Sequence, residues 1–374
     1  MRDRVLLVLG SSAGGVARHV AQAAQGLSAP APAGPGAVVR VAGPADLAAD
    51  VAPGPKVGFD PVPITDRPRP GDLAAIVRLR ALAAGADVVH AHGLRAGMFV
   101  VVAARTLPRA RRPRVVVTLH NRPVGGLAVR TVSAVLERVV ARGADVVLGV
   151  SGDLVDRARS LGARAAERAL VPAPDRPRPS SGVAGVRAAL AVPDAAALVV
   201  TVARLAPQKG LDTLIDAAAL LGTGRELVWV VAGDGPLRPG LEARIAAAGA
   251  PVRLLGRRTD VPDLLAAADV VVSTAVWEGQ PIGVQEALQL GAPLVCTDAG
   301  GTREVTGDDG AVLVPVGDAE AISLAVGALL ADPAERAALS ARAHARAAQL
   351  PGLSDVVGQL VRVYGIRRPE HPVE

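Results

Sequence analysis

The sequence predicts an α/β fold made of two doubly wound domains. Short apolar runs rich in Val and Leu alternate with Ala-rich helical stretches along the 374 residues. That is the pattern of βαβ units around a parallel sheet. The alternation pauses once, at ERALVPAPDRPRPSSG (Glu167 to Gly182), and then starts again. The prolines and serines of that stretch read as a linker, and the chain length suits two domains better than one. The expected boundaries are 1–175 for the first domain and 183–350 for the second. A closing helix and tail, 351–374, is expected to pack back toward the first domain.

In the first half the strand-like runs are VLLVLG, AVVRVAG, ADVVHAHG, RVVVTLHN and ADVVLGVSG. In the second they are ALVVTVARL, ELVWVVAGDG, VRLLGR, ADVVVST, PLVCTDAGG and AVLVPVGD. Between the first helix and the second strand, SAPAPAGPGA (Ser28 to Ala37) reads as a flexible loop. The last residues, RRPEHPVE, read as a frayed tail.

Half of the residues are apolar, a fifth are charged and 1% are aromatic. This is a globular composition whose core must be Ala, Val and Leu. No run of 18 apolar residues is present, so no transmembrane helix is expected. The opening MRDRVLLVLGSSAGG reads as a first strand, not a signal peptide. With Cys296 as the single cysteine, neither a disulfide framework nor a zinc cluster is expected, and the expectation is a cytoplasmic protein. The net charge of +6 is carried almost wholly by arginine, the two lysines being Lys56 and Lys209. The densest basic stretch, Arg105 to Arg114, reads either as a solvated loop or as a patch for an anionic membrane surface, at the membrane's inner face. It carries no aromatics and no binding motif, so nucleic acid is not an expected partner.

Polar residues and glycines cluster where the strand-like runs end: Gly14 and Gly15, His90 and His92, His120 and Asn121, Ser151, Arg204, Gly233 to Gly235, and Thr274. Open α/β sheets bind ligands outside the carboxyl ends of their strands. Two such edges facing each other would make a cleft between the domains.

Several constellations could use that edge. In WEGQPIGVQEAL (Trp277 to Leu288) a loop carries Glu278, Pro281 suits a first helical position, and Glu286 follows on the polar side of the helix. The two carboxylates could accept hydrogen bonds from one polyol, or could be an ordinary acidic pair on a solvent-facing helix. In RLAPQKG, Arg204 and Lys209 stand at the mouth of a helix, where two cations suit a diphosphate. Gly300, Gly301 and Thr302 of AGGTRE could offer amides to phosphate. AGDGP, with Gly233, suits any tight turn or a close backbone approach. GSSAGGVARHV (Gly10 to Val20) lacks dinucleotide-fingerprint spacing, and no clear acidic residue ends the second strand, which speaks against a nicotinamide dehydrogenase. The HAH spacing puts His90 and His92 on one face. With no carboxylate or cysteine cluster beside them, ligand-facing or structural roles are expected over a metal.

From Arg204 to Glu304, RLAPQKG, AGDGP and LLGRRTDVPDLLAAADVVVSTAVWEGQPIGVQEALQLGAPLVCTDAGGTREV follow in an order and spacing that resemble the retaining glycosyltransferases of family four (glycosyl transferases group 1). The glutamate pair Glu278 and Glu286, with seven residues between them, carries the resemblance most strongly. The Gly14–Gly15 loop, DVVHAHG, VVVTLHN and GVSGDL extend it over the first domain. The resemblance implies a GT-B fold, two Rossmann-like domains facing each other across a cleft, the first for an acceptor and the second for a UDP- or GDP-linked sugar. It implies that Glu278 holds donor-sugar hydroxyls, Glu286 the ribose, and Arg204 with Lys209 the diphosphate, while His120 lies near the transferring carbon and Gly15 approaches the diphosphate. Gly233, Gly279, Gln280, Pro281, Ile282, Gly300, Gly301 and Thr302 complete the expected donor site. His19, His90, His92 and Asn121 are the candidates for the acceptor side. No cofactor and no metal are expected, because the cations take the metal's place. Gln280 stands where the family usually has an apolar residue, which bears on the sugar that is read. The rival readings are a nucleotide-sugar epimerase and a non-catalytic relative that binds a nucleotide or glycan; the acceptor is open, lipid-linked or a small soluble metabolite.

Overall fold

A computed structural model describes the chain except residues 1, 12, 13, 53, 66, 123–125, 172–177, 223, 225 and 367–374. The chain divides into two compact units, Met1–Pro172 with Pro351–Glu374, and Ala173–Leu350. Residues 172–177 of the Pro-rich linker and the whole final tail lie outside the described residues.

Among the described residues, unit 1 holds a seven-stranded parallel sheet of β1 (Arg4–Leu9), β2 (Val38–Gly43), β3 (Val57–Pro61), β4 (Val88–His92), β5 (Arg114–Leu119), β6 (Val146–Gly149) and β7 (Ala166–Arg168), in the order β3-β2-β1-β4-β5-β6-β7. Unit 2 holds a six-stranded parallel sheet of β8 (Ala197–Val202), β9 (Leu227–Ala232), β10 (Val252–Gly256), β11 (Val270–Ser273), β12 (Leu294–Thr297) and β13 (Val312–Val314), in the order β10-β9-β8-β11-β12-β13. Each order reverses direction once, at β1/β4 and at β8/β11. Such a reversal opens a crevice at the carboxyl ends of the strands.

The central strands are buried on both faces, so their sequences are continuously apolar rather than alternating. In unit 2, Leu198, Val200, Val228 and Val230 pack on one side of the sheet; Val199, Trp229 and Val231 pack on the other. Fully buried Trp229 donates its Nε1–H to Thr201 Oγ1 (3.0 Å), and Thr201 donates to the carbonyl of Val272 (2.8 Å), tying β8, β9 and β11 together.

Three expectations change. Glu167 and Arg168 belong to β7 rather than to a linker, and Ser180 and Ser181 are anchored by their amides on buried Asp263 (2.7 and 2.6 Å). The 28–37 loop folds back on the helix Gly15–Ser28: Gly36 and Ala37 donate to the carbonyls of Ala29 and Leu27. Two strands, β3 and β7, were not expected. The helix Leu353–Tyr364 is part of unit 1. Its apolar face is buried, Gln359 accepts from the Leu170 amide (2.9 Å), and Arg114 Nε donates to the Val363 carbonyl (2.7 Å).

Candidate active site

In unit 2 the candidate residues stand where β8, β9, β11 and β12 end. β8 runs into the loop with exposed Arg204, then a single 3₁₀ turn, Pro207–Lys209. Gly233 holds that loop close to the end of β9. Its φ is +147°, and a Cβ there would lie 1.9 Å from the Ala203 carbonyl oxygen. Only glycine fits such an approach. Thr274, after β11, donates to the carbonyl of Lys209 (2.9 Å). The loop beyond it delivers Glu278, whose carboxylate is ion-paired with the Lys209 ammonium. A cavity of about 50 Å³ adjoins the pair, lined by Val202, Lys209, Ser273, Glu278, Pro281 and Ile282 among others.

Gly300 and Gly301 pack against the Glu278 loop. The Gly301 amide donates to the Glu278 carbonyl (2.8 Å), and the Thr302 amide and hydroxyl both bond the Ala299 carbonyl (3.1 and 2.8 Å). The amides of Gly301 and Thr302 are therefore engaged inside the protein, that of Gly301 on the Glu278 loop. Gly300 has φ +56°, and a Cβ would meet the Glu278 carbonyl oxygen at 2.1 Å.

Pro281 caps the helix Ile282–Gln289 from outside, one residue earlier than its expected place in the helix. Glu286 is 3% exposed and Gln285 1%. The solvent-facing alternative for this helix is therefore wrong: its polar side turns inward. Gly279 is buried, and Gln280 and Ile282 are half-buried. Cys296 at the end of β12 is fully buried, and burial pushes its thiol up to about 12.

Unit 1 gathers its candidates at the ends of β1, β4 and β5. Gly15 opens the helix Gly15–Ser28 and is exposed. His92 Nδ1 and His120 Nε2 share a hydrogen bond of 3.1 Å, and both side chains line a pocket of about 480 Å³ together with exposed Asn121. That volume is in the range of small-molecule sites. His19 and His90 stand behind them, and they correct the expected acceptor side. His90 is fully buried, with one ring nitrogen 2.6 Å from the Tyr364 hydroxyl and the other 2.7 Å from Thr118 Oγ1. It is a core residue that ties β4 to β5 and to the last helix. His19 is 3% exposed, its ring centroid 5.4 Å from that of His92 and 5.7 Å from that of His120. Burial, which disfavours the charged form, depresses His19 to about 4 and, with His19 nearby, His90 to about 3. His92 and His120 are also held well below the usual range, chiefly by burial and then by neighbouring histidines. Among the described residues no three His, Cys, Asp or Glu side chains are set to hold a metal ion.

The basic stretch is largely occupied. Arg105 donates to the Gly143 carbonyl, Arg112 to the carbonyls of Leu107 and Arg105, and Arg114 to that of Val363. Arg109 and Arg111 remain exposed on a 3₁₀ turn. Sequence reasoning missed the cations of the unit 1 pocket, Arg67, Arg95 and Arg122. In so arginine-rich a chain no local signal distinguishes them.

Two parallel Rossmann-like units, each with functional groups at the carboxyl ends beside its switch point, define a GT-B protein. The family described as glycosyl transferases group 1 matches residues 186–346, and the glycosyl transferase 4-like domain matches residues 14–174. The chain belongs to this family of glycosyltransferases. It is similar to an alpha-D-kanosaminyltransferase of Streptomyces kanamyceticus, 33% identical over 174 residues, 45% of each chain. It is also similar to a GDP-mannose-dependent alpha-(1-6)-phosphatidylinositol dimannoside mannosyltransferase of Mycobacterium tuberculosis, 38% identical over 119 residues, 30% of this chain and 31% of that one. The chain thus spans about half or less of the length of the curated relatives it matches. Among solved structures, Anabaena Alr3699/HepE in complex with UDP and glucose aligns with a TM-score of 0.78 and 21% identity, covering 97% of this chain and all of that one, a likeness of fold.

Proposed function

We propose that this protein transfers a sugar from a nucleoside-diphosphate sugar to an acceptor, with retention of the anomeric configuration. The observation that carries the reading is the Lys209–Glu278 pair in unit 2, seated on the loops that follow β8 and β11. A cation and a carboxylate that neutralise each other become, with donor bound, a phosphate ligand and a sugar-hydroxyl ligand. Arg204 is the second cation on the same β8 loop, and Glu286 is the ribose ligand. The relatives' names support the donor class: one is GDP-mannose-dependent, and the fold neighbour was solved with UDP and glucose.

As the glycosidic bond breaks, negative charge grows on the departing diphosphate. Lys209 and Arg204 stabilise that charge more in the transition state than in the ground state, which is what accelerates the step. In this reading the cations do the work that a metal does elsewhere. Retention follows if the acceptor attacks the face the leaving group departs from and a donor phosphate oxygen takes the acceptor proton. His120, held by His92, orients the sugar. Peripheral contact with an anionic membrane would fall to the exposed Arg109 and Arg111; no helix among the described residues is long and apolar enough to cross one.

The test is thermal unfolding with saturating UDP, GDP, ADP and dTDP, on wild type and Lys209→Ala. A ligand at a hundred times its Kd adds about 2.7 kcal/mol. For a unit of this size that is roughly 5–10 °C. One nucleotide should stabilise the wild type and lose its effect in the variant. No shift with any of the four would reject the donor-site reading.

A further inference from the structure

The 480 Å³ pocket of unit 1 has a chemistry that the donor reading does not use. Three cations line it, Arg67, Arg95 and Arg122, and no carboxylate stands among its described lining residues. Its outer wall is an apolar stripe on the helix Leu127–Gly143, made by Val129, Val132 and Leu136 at spacings of three and four. Val129 is 48% and Val132 53% exposed, and Val135, beyond the pocket on the same helix, is 60% exposed. Two buried nitrogens of its lining residues, Arg95 Nε and His92 Nε2, have no hydrogen-bond partner among the described residues. Such orphans are rare in folded proteins and call for an explanation. Arg95 is already engaged on its other side: Asp72 accepts from its Nη2 (2.6 Å), and the guanidinium lies 5.0 Å from the centroid of the Phe99 ring. Asp153, outside the lining, is 3.7 Å from Arg122.

We propose that this pocket takes the acceptor, and that the acceptor is a lipid with a phosphate beside its sugar-accepting end. The inference rests on the transferase reading and names its acceptor class. Arg67, Arg95 and Arg122 hold the phosphate. The apolar chain leaves the pocket along Val129 and Val132 and covers Val135. An anion matches the acid-free lining, since charge complementarity selects partners and repels like charge. A small soluble anion would leave the stripe uncovered. A cationic amino sugar would meet three guanidiniums with no carboxylate to receive it.

The experiment titrates the whole protein with monomeric short-chain phosphatidylglycerol, short-chain phosphatidylcholine, inorganic phosphate and a diamino sugar. It uses wild type, Val132→Asp and Arg122→Ala, both changed at exposed positions. Phosphatidylglycerol should bind wild type at least tenfold more tightly than phosphatidylcholine or phosphate, and each variant should lose tenfold or more. Inorganic phosphate binding as tightly as phosphatidylglycerol would overturn the lipid assignment, and so would equal binding of the two lipids. Tightest binding by the diamino sugar, unchanged affinity in both variants, or no binding at all would overturn the proposal as a whole. The readout is binding to unit 1, so its failure leaves the UDP and GDP shifts of Lys209→Ala to judge the donor site separately.

Discussion

Replacing Gly300 by alanine tests whether the glycine after β12 is there to place Glu278. Two costs are expected, and they are separable. A non-glycine residue in the left-handed region costs about 1–3 kcal/mol, and Gly300 has φ +56°. A Cβ there would also lie 2.1 Å from the Glu278 carbonyl oxygen and 2.9 Å from Trp277 Nε1. Ordinary contact begins near 3.4 Å, so the Glu278 backbone must retreat by roughly 1 Å. A displacement of about 1 Å at a catalytic group costs on the order of 10²-fold in rate. Gly249 in the same unit is the control: its φ is +58°, with nothing within 4 Å of an added Cβ. Gly249→Ala should lower the unfolding midpoint and leave kcat/KM for sugar transfer within about twofold. Gly300→Ala should lower the midpoint at least as much and reduce kcat/KM roughly a hundredfold. Equal kcat/KM in the two variants would refute the argument that the close approach of Gly300 sets the position of Glu278.

Three further outcomes follow from other contacts. On the proposed reading Glu278→Ala should abolish transfer but leave UDP or GDP affinity equal or higher by calorimetry, because the carboxylate paired with Lys209 is gone; a parallel loss of nucleotide affinity would contradict that reading. Tyr364→Phe should leave the buried His90 Nδ1 without its partner, costing about 1–3 kcal/mol. Since Trp229 and Trp277 both belong to unit 2, tryptophan fluorescence should keep its midpoint while the circular-dichroism transition moves down. The buried histidines set a pH dependence of definite sign. Neutral in the folded state down to about 4 for His19 and about 3 for His90, they take up protons on unfolding below about pH 6.5. Their stabilisation is complete above that pH and is lost as pH falls through the window, by roughly 1.4 kcal/mol per unit for each histidine. Between pH 7 and 5 the circular-dichroism midpoint should fall further than the fluorescence midpoint; equal shifts would show that unit 1 carries no such load.

Most of the sheet was legible because strands buried on both faces must be apolar throughout, as in VVHAH and RVVVTL. The two strands that escaped, VGFDP and AER, are the outer edges of the unit 1 sheet, β3 and β7. An edge strand has one neighbour, so it needs no continuous apolar run, and its sequence looks like a loop. The candidate site was legible in position and less so in partnership. Periodicity correctly set His90 and His92 on one face, with ring centroids 4.2 Å apart. It could not show that Tyr364, 274 residues away, closes over His90. The helical wheel put Glu286 opposite Val284 and Leu288. It could not show that this side is covered too, so that Glu286, which the sequence left either ligand-facing or solvent-facing, is 3% exposed.

The same limit decides which polar groups are available for chemistry. A polar group at a strand end either serves a ligand or satisfies its own protein, and residue type does not distinguish the two. Gly301 spends its amide on Glu278, and Arg112 and Arg114 spend their guanidiniums on carbonyls. The groups that bear function are those whose internal bond a ligand can replace, or that have none. Lys209 and Glu278 satisfy each other and are only partly covered, 23% and 15% exposed, so a diphosphate and a sugar can divide them without burying an uncompensated charge. Arg95 Nε and His92 Nε2 have no hydrogen-bond partner among the described residues. In the proposed reading the exchangeable ion pair of unit 2 serves the donor, and the three guanidiniums on the acid-free wall of the unit 1 pocket serve the acceptor.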